Sequence, residues 1–146
     1  MREISPEELR KILKEHKRRF KTDKKEGEKA DLSFANLSDA DLRETNLGGA
    51  ILLCADLRNA NLRKAYLWKA NLRKANLSKA DLSDADMICA NLSEVDLSGA
   101  SLTQVKNLFI NQLSEVKSLY KAELDHELME QVKGKYPHLL EKPEEE

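Results

Sequence analysis

Residues 30–49 read ADLSFANLSDADLRETNLGG, and this stretch contains the pattern that decides the fold. Every fifth residue is leucine, aspartate or asparagine stands directly before it, and alanine stands two residues before it in three of the four cases. The same register continues to residue 104 through fifteen consecutive pentads, in which only Met87 replaces the central leucine. Chance does not keep fifteen pentads in phase, so this segment is a repeat array.

A period of five residues fits neither a regular helix nor a straight strand. On a helix, at about 100° per residue, successive leucines would spread around the axis and form no stripe. On a straight strand side chains alternate with a period of 2, so every second leucine would face outward. The conflict disappears if the chain turns a corner in each pentad, so that alanine and leucine share the inner face of one short extended side. One coil cannot bury its leucines alone, and the pattern therefore predicts stacked coils.

The pentad A-(D/N)-L-x-x resembles the repeat of the pentapeptide-repeat family. Typical instances are the segments Ala35-Asn36-Leu37-Ser38-Asp39 and Ala75-Asn76-Leu77-Ser78-Lys79. The resemblance covers residues 30–104 and implies an all-β solenoid, a right-handed quadrilateral β-helix with four pentads per coil. It implies little about activity.

The flanking segments have the patterns of helical caps, which would cover the unpaired backbone at each end of a solenoid. At the front, Ser5, Pro6 and Glu8 form an N-terminal helix signal, and the pattern predicts a helix near residues 6–19. Its apolar stripe starts at Leu9 and extends to His16 and Phe20. The predicted organisation is an N-terminal helical cap and connector (1–29), the β-helix (30–104), a C-terminal helical cap (105–140) and an acidic tail (141–146).

The C-terminal cap is predicted to contain a return to the stack and a second helix. Residues 108–119 have mixed helical spacing, with Ser114 as an N-cap. The segment 122–125 repeats the pentad pattern and indicates one more extended side. Asp125 would then cap a helix over 126–134 that ends at Gly134.

Composition and charge exclude several classes of protein. The 25 Lys and Arg residues balance 26 Asp and Glu residues, which argues against nucleic acid as a partner and against a wholly acidic DNA mimic. The sequence begins without an apolar signal segment and has no run of about 20 apolar residues, so no membrane association is expected. The two cysteines form no CxxC pair. These features predict a cytoplasmic protein.

The sequence contains no recognisable catalytic, metal or cofactor site. The repeat region has no histidine, and the three histidines of the flanks lack metal-ligand spacing. Gly48 and Gly49 precede no helix and form no phosphate-binding loop. We therefore expect no enzyme activity, no cofactor and no metal.

The aspartates before the leucines allow two interpretations. One is a phosphate-mimicking ladder, as the gyrase-protecting branch of the family implies. The other is that short polar side chains bind local backbone. Asparagine occupies the same position as often as aspartate, which favours the hydrogen-bonding role.

Four pentads per coil would place residues twenty apart on one side, and this sorts the outward side chains. All outward apolar residues then fall on two adjacent sides, which predicts an interaction surface for a protein partner or a second copy. The alternative is that a flank, the 21–29 connector or the C-terminal segment, covers part of this surface. The candidate residues are Phe34, Ile51, Leu53, Tyr66, Trp68 and Ile88.

Charged residues also form two bands along the array. Between Asp56 and Asp81 the only charged residues are Lys and Arg, and over residues 81–96 the only charged residues are Asp and Glu. We interpret the bands as a solvated surface whose neighbouring charges attract. The sequence thus predicts a rigid, non-catalytic scaffold for protein–protein interaction. The alternative function is a DNA-mimic regulator or protector of DNA gyrase or topoisomerase. Because near-perfect repeats are designable, a solenoid that serves stability only, or one of designed origin, is a further alternative.

Overall fold

Four ladders of parallel bridges run along the repeat region, and every bridge between residues 31 and 106 joins residues twenty apart. The ladders begin at Asp31↔Ile51, Asn36↔Asp56, Asp41↔Asn61 and Asn46↔Tyr66. Twenty residues are four pentads, so the prediction of a four-sided coil is confirmed. We number the sides by their first leucines: side 1 contains Leu32, side 2 Leu37, side 3 Leu42 and side 4 Leu47. This computed structural model describes residues 1–24 and 26–144.

The pentad pattern follows from the hydrogen bonds of its five amides. The amide before the leucine donates to the preceding coil, and the amides of the leucine and of the second residue after it donate to the following coil. The alanine amide closes a turn onto the preceding leucine, and the remaining amide donates to the Asp or Asn side chain. A pentad such as 75–79, with Asn before its leucine and a coil on each side, thus has a partner for each of its five amides, as buried backbone requires. In the pentad 75–79 the donors and acceptors are Ala75 N to Leu72 O, Asn76 N to Ala55 O, Leu77 N to Asp96 O, Ser78 N to Asn76 Oδ1 and Lys79 N to Ser98 O.

The second residue after each leucine forms the corner and adopts a positive φ in all fifteen pentads. Thirteen of these corner residues are not glycine, and for example Lys64 has φ 57° and Lys69 has φ 55°. The left-handed conformation costs roughly 1 kcal/mol for such residues. The turn bond and the two neighbouring coils hold the backbone there.

The core is a single column of leucine and alanine. The fourteen central leucines and Met87 are 0–2% exposed, and nearly all of the pentad alanines are buried as well. Ala40, on the first coil, is the exception and is half-buried. The inward position of alanine and leucine is therefore confirmed.

The N-terminal segment extends the stack by one bridge and then forms a helix. The Arg2 N–H donates to Phe34 O and the Asn36 N–H donates to Arg2 O, both at 2.7 Å. Helix α1 spans Pro6–Lys21, close to the predicted 6–19. The Ser5 side chain accepts from the Glu8 N–H at 3.1 Å, as predicted for an N-cap, whereas the Glu8 carboxylate binds Arg2. The apolar stripe of α1 lies against the core, with Leu9 half-buried and His16 fully buried.

The C-terminal segment adds one further coil that is two residues longer. The bridge Asp86↔Lys106 still spans 20 residues, but Asp96↔Ser118 spans 22. Strand β1 (Ser101–Leu102) pairs in parallel with strand β2 (Glu123–Leu124), which confirms the predicted return to the stack. The extra residues lie around a 3₁₀ helix, Ile110–Leu113, where Gln112 Nε2 donates to Met87 O and Ala90 O.

Helix α2 (His126–Lys135) and a second 3₁₀ helix (Pro137–Leu140) complete the chain, and both bury one side chain, Val132 and Leu139. The prediction for α2 is correct to within one residue, but its caps differ. The Asp125 side chain makes no capping bond, because Oδ2 accepts from the Gln104 N–H at 2.8 Å. The Ser114 prediction is wrong, since this residue ends a 3₁₀ helix instead of starting an α-helix. Lys25 of the predicted connector, and Glu145 and Glu146 of the predicted tail, lie outside the described residues.

Candidate interaction surface

The six candidate surface residues lie on sides 4 and 1, and they differ in exposure. Phe34 is 53% exposed, Tyr66 50% and Ile88 40%, which is unusual for large apolar side chains. The other three, Ile51, Leu53 and Trp68, are half-buried. The structure therefore leaves an apolar area in contact with solvent on two adjacent sides.

The local backbone explains why these side chains point outward. Ile51 and Tyr66 occupy the position before the leucine, where most pentads have Asp or Asn. Phe34 occupies a corner with φ 60°. Every pentad directs these positions away from the core, so the substitution of apolar residues there changes the surface and leaves the stack intact.

Trp68 is the candidate residue that another element partly covers. Its indole lies over Gly48, the residue twenty positions earlier, where a Cβ atom would overlap Cε2 and Cζ2 of the ring. Phe20 of α1 packs edge-on against the indole with ring centroids 5.3 Å apart. The covering element is thus α1, instead of the connector or the C-terminal segment that the sequence suggested.

His16 joins α1 to the solenoid through both of its ring nitrogens. The Ala30 N–H donates to Nδ1 at 3.0 Å, and Nε2 lies 3.0 Å from Gly48 O. Because Nδ1 accepts a hydrogen bond, the proton of the neutral ring is on Nε2 and is donated to Gly48 O. The edge of Phe20 packs on the imidazole at 5.1 Å, so His16, Phe20 and Trp68 form a continuous aromatic stack, which we call the aromatic junction.

Burial holds the pKa of His16 below its ordinary value of 6.5. The bond to Gly48 O opposes this shift, and the charges of Arg19 and Lys29 add to it. Protonation would also place an N–H at Nδ1 opposite the Ala30 N–H. The neutral ring is therefore the form that holds α1 in place.

We expect the stability conferred by His16 to be complete above the ordinary pKa and to fall as the pH drops below it. Between the lowered folded pKa and the higher unfolded pKa the unfolded chain binds more protons, so acid favours unfolding. The melting temperature should fall between about pH 8 and about pH 5, a range in which carboxylates stay ionised. His16→Gln should reduce this slope, and an unchanged slope in that variant would contradict the assignment.

The acidic side chains before the leucines bind backbone. All twelve Asp and Asn residues in that position accept the N–H of the residue two positions later, through one side-chain oxygen. Several are also neutralised by bases. The Arg43 side chain, through its hydrogen bond, lowers the pKa of Asp41 to about 2, and Arg58 lowers the pKa of Asp56 in the same way. The hydrogen-bonding interpretation of this position is confirmed.

The basic and acidic bands contact each other on side 1. Glu94 lies 3.1 Å from Arg73 Nη2 and 3.9 Å from Lys74 Nζ of the preceding coil. These are exposed pairs, worth about 0–1 kcal/mol each. They support the interpretation of the bands as a surface of attracting charges.

Within residues 1–24 and 26–144, no three His, Cys, Asp or Glu side chains lie where they could hold a metal ion. Neither helix in the described part of the chain has the length and apolar character needed to cross a bilayer.

Comparison with known sequences decides the family. The family model "Pentapeptide repeats" matches eight copies over residues 30–68 and 65–104, just over half of the chain. The chain belongs to the pentapeptide-repeat family. Members of this family fold as right-handed quadrilateral β-helices, which assigns the hand of the coil. A comparison with functionally curated proteins finds no significant match.

Solved pentapeptide-repeat structures agree with this assignment. Rfr23 from the cyanobacterium Cyanothece 51142 is 37% identical, with a TM-score of 0.55 over 70% of this chain. The match spans 65% of the Rfr23 chain. The protein alr5209 from Nostoc PCC 7120 is 31% identical, with a TM-score of 0.53 over 66% of this chain and 86% of its own. These similarities concern the repeat fold and do not assign a partner.

The sequence did not reveal the aromatic junction of this pentapeptide-repeat protein. Its contacts join α1 to residues 32 and 48 positions away, His16 to Gly48 and Phe20 to Trp68. One signal was present in the sequence, because Gly48 stands twenty residues before Trp68, where a small residue admits a large ring.

Proposed function

We propose that this protein is a rigid, non-catalytic scaffold that binds a protein surface through the apolar residues of sides 4 and 1. The observation that carries the proposal is the exposure of Phe34, Tyr66 and Ile88 on a backbone that hydrogen bonds hold from coil to coil. Clustered exposed apolar side chains are typical of protein interaction sites. Aromatic residues in particular contribute strongly to binding energy.

The flanking segments favour binding of a partner to the sides of the solenoid, and not to its ends. We propose that α1 and the segment from 105 to 140 act as caps, because both pack on the core at opposite ends of the repeat array. A capped stack offers few free backbone groups for a second solenoid to extend. Its sides then remain as the surface for recognition.

The gyrase alternative has less support. Of the twelve Asp and Asn residues before the leucines, six are neutral asparagines, and the carboxylates of Asp41, Asp56 and Glu94 are paired with bases. A DNA mimic needs a continuous negative surface, and a band of bases interrupts this one. Inhibition of gyrase supercoiling by the protein would overturn our preference.

The double substitution Phe34→Ser and Tyr66→Ser tests the proposed surface. Both side chains are exposed, so the fold should survive, and self-association or partner binding should weaken about tenfold or more. Sedimentation equilibrium measures the first and a binding titration with a captured partner measures the second. Glu44→Ser is the matched control, because Glu44 occupies a corner of the same coil as Phe34 but lies on side 3. Unchanged binding in the double variant would refute the surface.

A further inference from the structure

A cleft of about 250 Å³ lies where α1, the connector after it and side 4 meet. Phe20 and Trp68 of the aromatic junction form part of its wall. Its charged lining comes from three separate parts of the chain: Arg19 from the last turn of α1, Lys24 and Lys29 from the connector, and Lys69 from a corner of the second coil. Among the residues that the structure describes, no carboxylate lines the cleft.

The four bases of the cleft differ from most arginines of the repeat array. Arg43, Arg58 and Arg73 each bind a carboxylate. Among residues 1–24 and 26–144, by contrast, Arg19, Lys24, Lys29 and Lys69 take part in no ion pair. Four like charges therefore line this cleft, and no carboxylate of the described residues pairs with them. An anion in the cleft would relieve their mutual repulsion.

The backbone around the cleft places these charges close together. Lys29 Cε lies 4.0 Å from the point that a Cβ on Gly49 would occupy, so this side chain lies beside a corner of the first coil. Lys69 occupies the corner directly above Gly49, twenty residues on. The same field acts on His16, whose pKa is lowered by burial first and, in addition, by Arg19 and Lys29.

Side chains, and not amides, would bind the anion. The Gly48 N–H already donates to Asn46 Oδ1, and the Gly49 N–H donates to Trp68 O. The carbonyls of Arg18 and Arg19 at the end of α1 accept from the N–H groups of Thr22 and Lys24. Two of the carbonyls at the negative end of the helix therefore already accept capping bonds.

We propose that this cleft binds a small phosphate monoester that carries a planar ring, of the class of a nucleoside monophosphate. The lysines and Arg19 bind the phosphate, and the ring stacks on the half-buried indole of Trp68, which lines the cleft. Aromatic side chains bind planar rings of any identity by stacking. The volume lies below the roughly 300–1,000 Å³ of sites for drug-sized ligands, which favours one small ligand over a longer chain. This proposal is independent of the proposed protein-binding role, which depends on Phe34 and Tyr66.

Trp68 makes the test direct, because it is the only tryptophan and lies in the wall of the cleft. We expect adenosine monophosphate to change its fluorescence in a saturable way, and calorimetry to give the same affinity. Inorganic phosphate should bind more weakly, and adenosine should bind more weakly still. Equal binding by adenosine would refute the role of the bases, and equal binding by inorganic phosphate would refute the role of the ring.

Two charge-removing variants and one matched control locate the site. Lys29→Gln and Lys69→Gln should each weaken binding about tenfold, since hydrogen bonds between charged groups are the strong ones. Lys64→Gln should leave the affinity unchanged, because Lys64 occupies the same corner position of the same coil on side 3. An equal loss in Lys64→Gln, or no binding by the wild-type protein, would overturn the proposal. The Phe34→Ser and Tyr66→Ser variant should bind normally, so the two proposals can fail separately.

Discussion

Replacing Leu72 by alanine should lower the free energy of unfolding by about 3 kcal/mol. Leu72 is 0% exposed and lies between Leu52 and Leu92 in the inner column of side 1. Hydrogen bonds fix the coils on both sides, so the structure cannot collapse into the space that the side chain leaves. The cost therefore includes the lost burial and the remaining cavity. Urea denaturation followed by circular dichroism measures the change.

Leu53→Ala is the matched control for Leu72→Ala. It removes the same atoms from a half-buried side chain on the outer face of side 1. We expect a loss of less than about 1 kcal/mol, because surface substitutions usually have small effects. Similar losses for the two variants would contradict the separation of inner and outer positions on which the fold depends.

Gly48→Ala should cost roughly 1–3 kcal/mol although it adds a single methyl group. The new Cβ would overlap the Trp68 indole, which Phe20 contacts at a centroid distance of 5.3 Å. The ring can move only if it leaves this contact, and α1 then loses part of its attachment to the solenoid. We expect a lower melting temperature and a shift of Trp68 fluorescence toward that of exposed indole.

A double-mutant cycle tests whether this effect acts through Trp68. In the Gly48→Ala background, Trp68→Ala should lower the free energy of unfolding by less than it does in the wild-type protein. The reason is that it also removes the overlap between the new methyl group and the indole. Additive costs would show that Gly48 matters for another reason. Gly134→Ala is the control, because nothing lies within 4 Å of its Cβ position, and it should stabilise α2 by up to about 1 kcal/mol.

Most of this fold could be predicted from sequence because the repeat is a local rule. Each pentad specifies its inward alanine and leucine, and each coil needs only its neighbours. Both α-helices were predicted to within two residues at each end, since Ser5 and Pro6 are strong start signals. The detailed chemistry of the ends was less predictable. Asp125 binds the Gln104 amide, a contact across 21 residues, and Ser114 follows a 3₁₀ helix that the mixed spacing concealed.

The surface could be predicted only in part, because the local repeat rule fixes which side chains point outward but not which of them another segment covers. Outward directions follow from the register, and the positions of Phe34, Tyr66 and Ile88 were therefore correctly expected to be exposed. Which outward residues another segment covers depends on tertiary contacts. The packing of Phe20 on Trp68 and the convergence of Lys29 with Lys69 depend on where α1 and the connector lie, and no local pattern encodes that.

In the last coil the spacing between bridged residues increases from 20 to 22, and this change limits how the protein can vary in length over evolution. A tandem duplication of 20 residues within the regular array preserves every ladder and every column of side chains. The irregular last coil cannot be copied in this way, because the Gln112 side chain occupies the carbonyls of Met87 and Ala90. Descendants should therefore gain or lose whole coils upstream of it. Each such event would move the apolar and charged patches along the axis by one coil without rotating them.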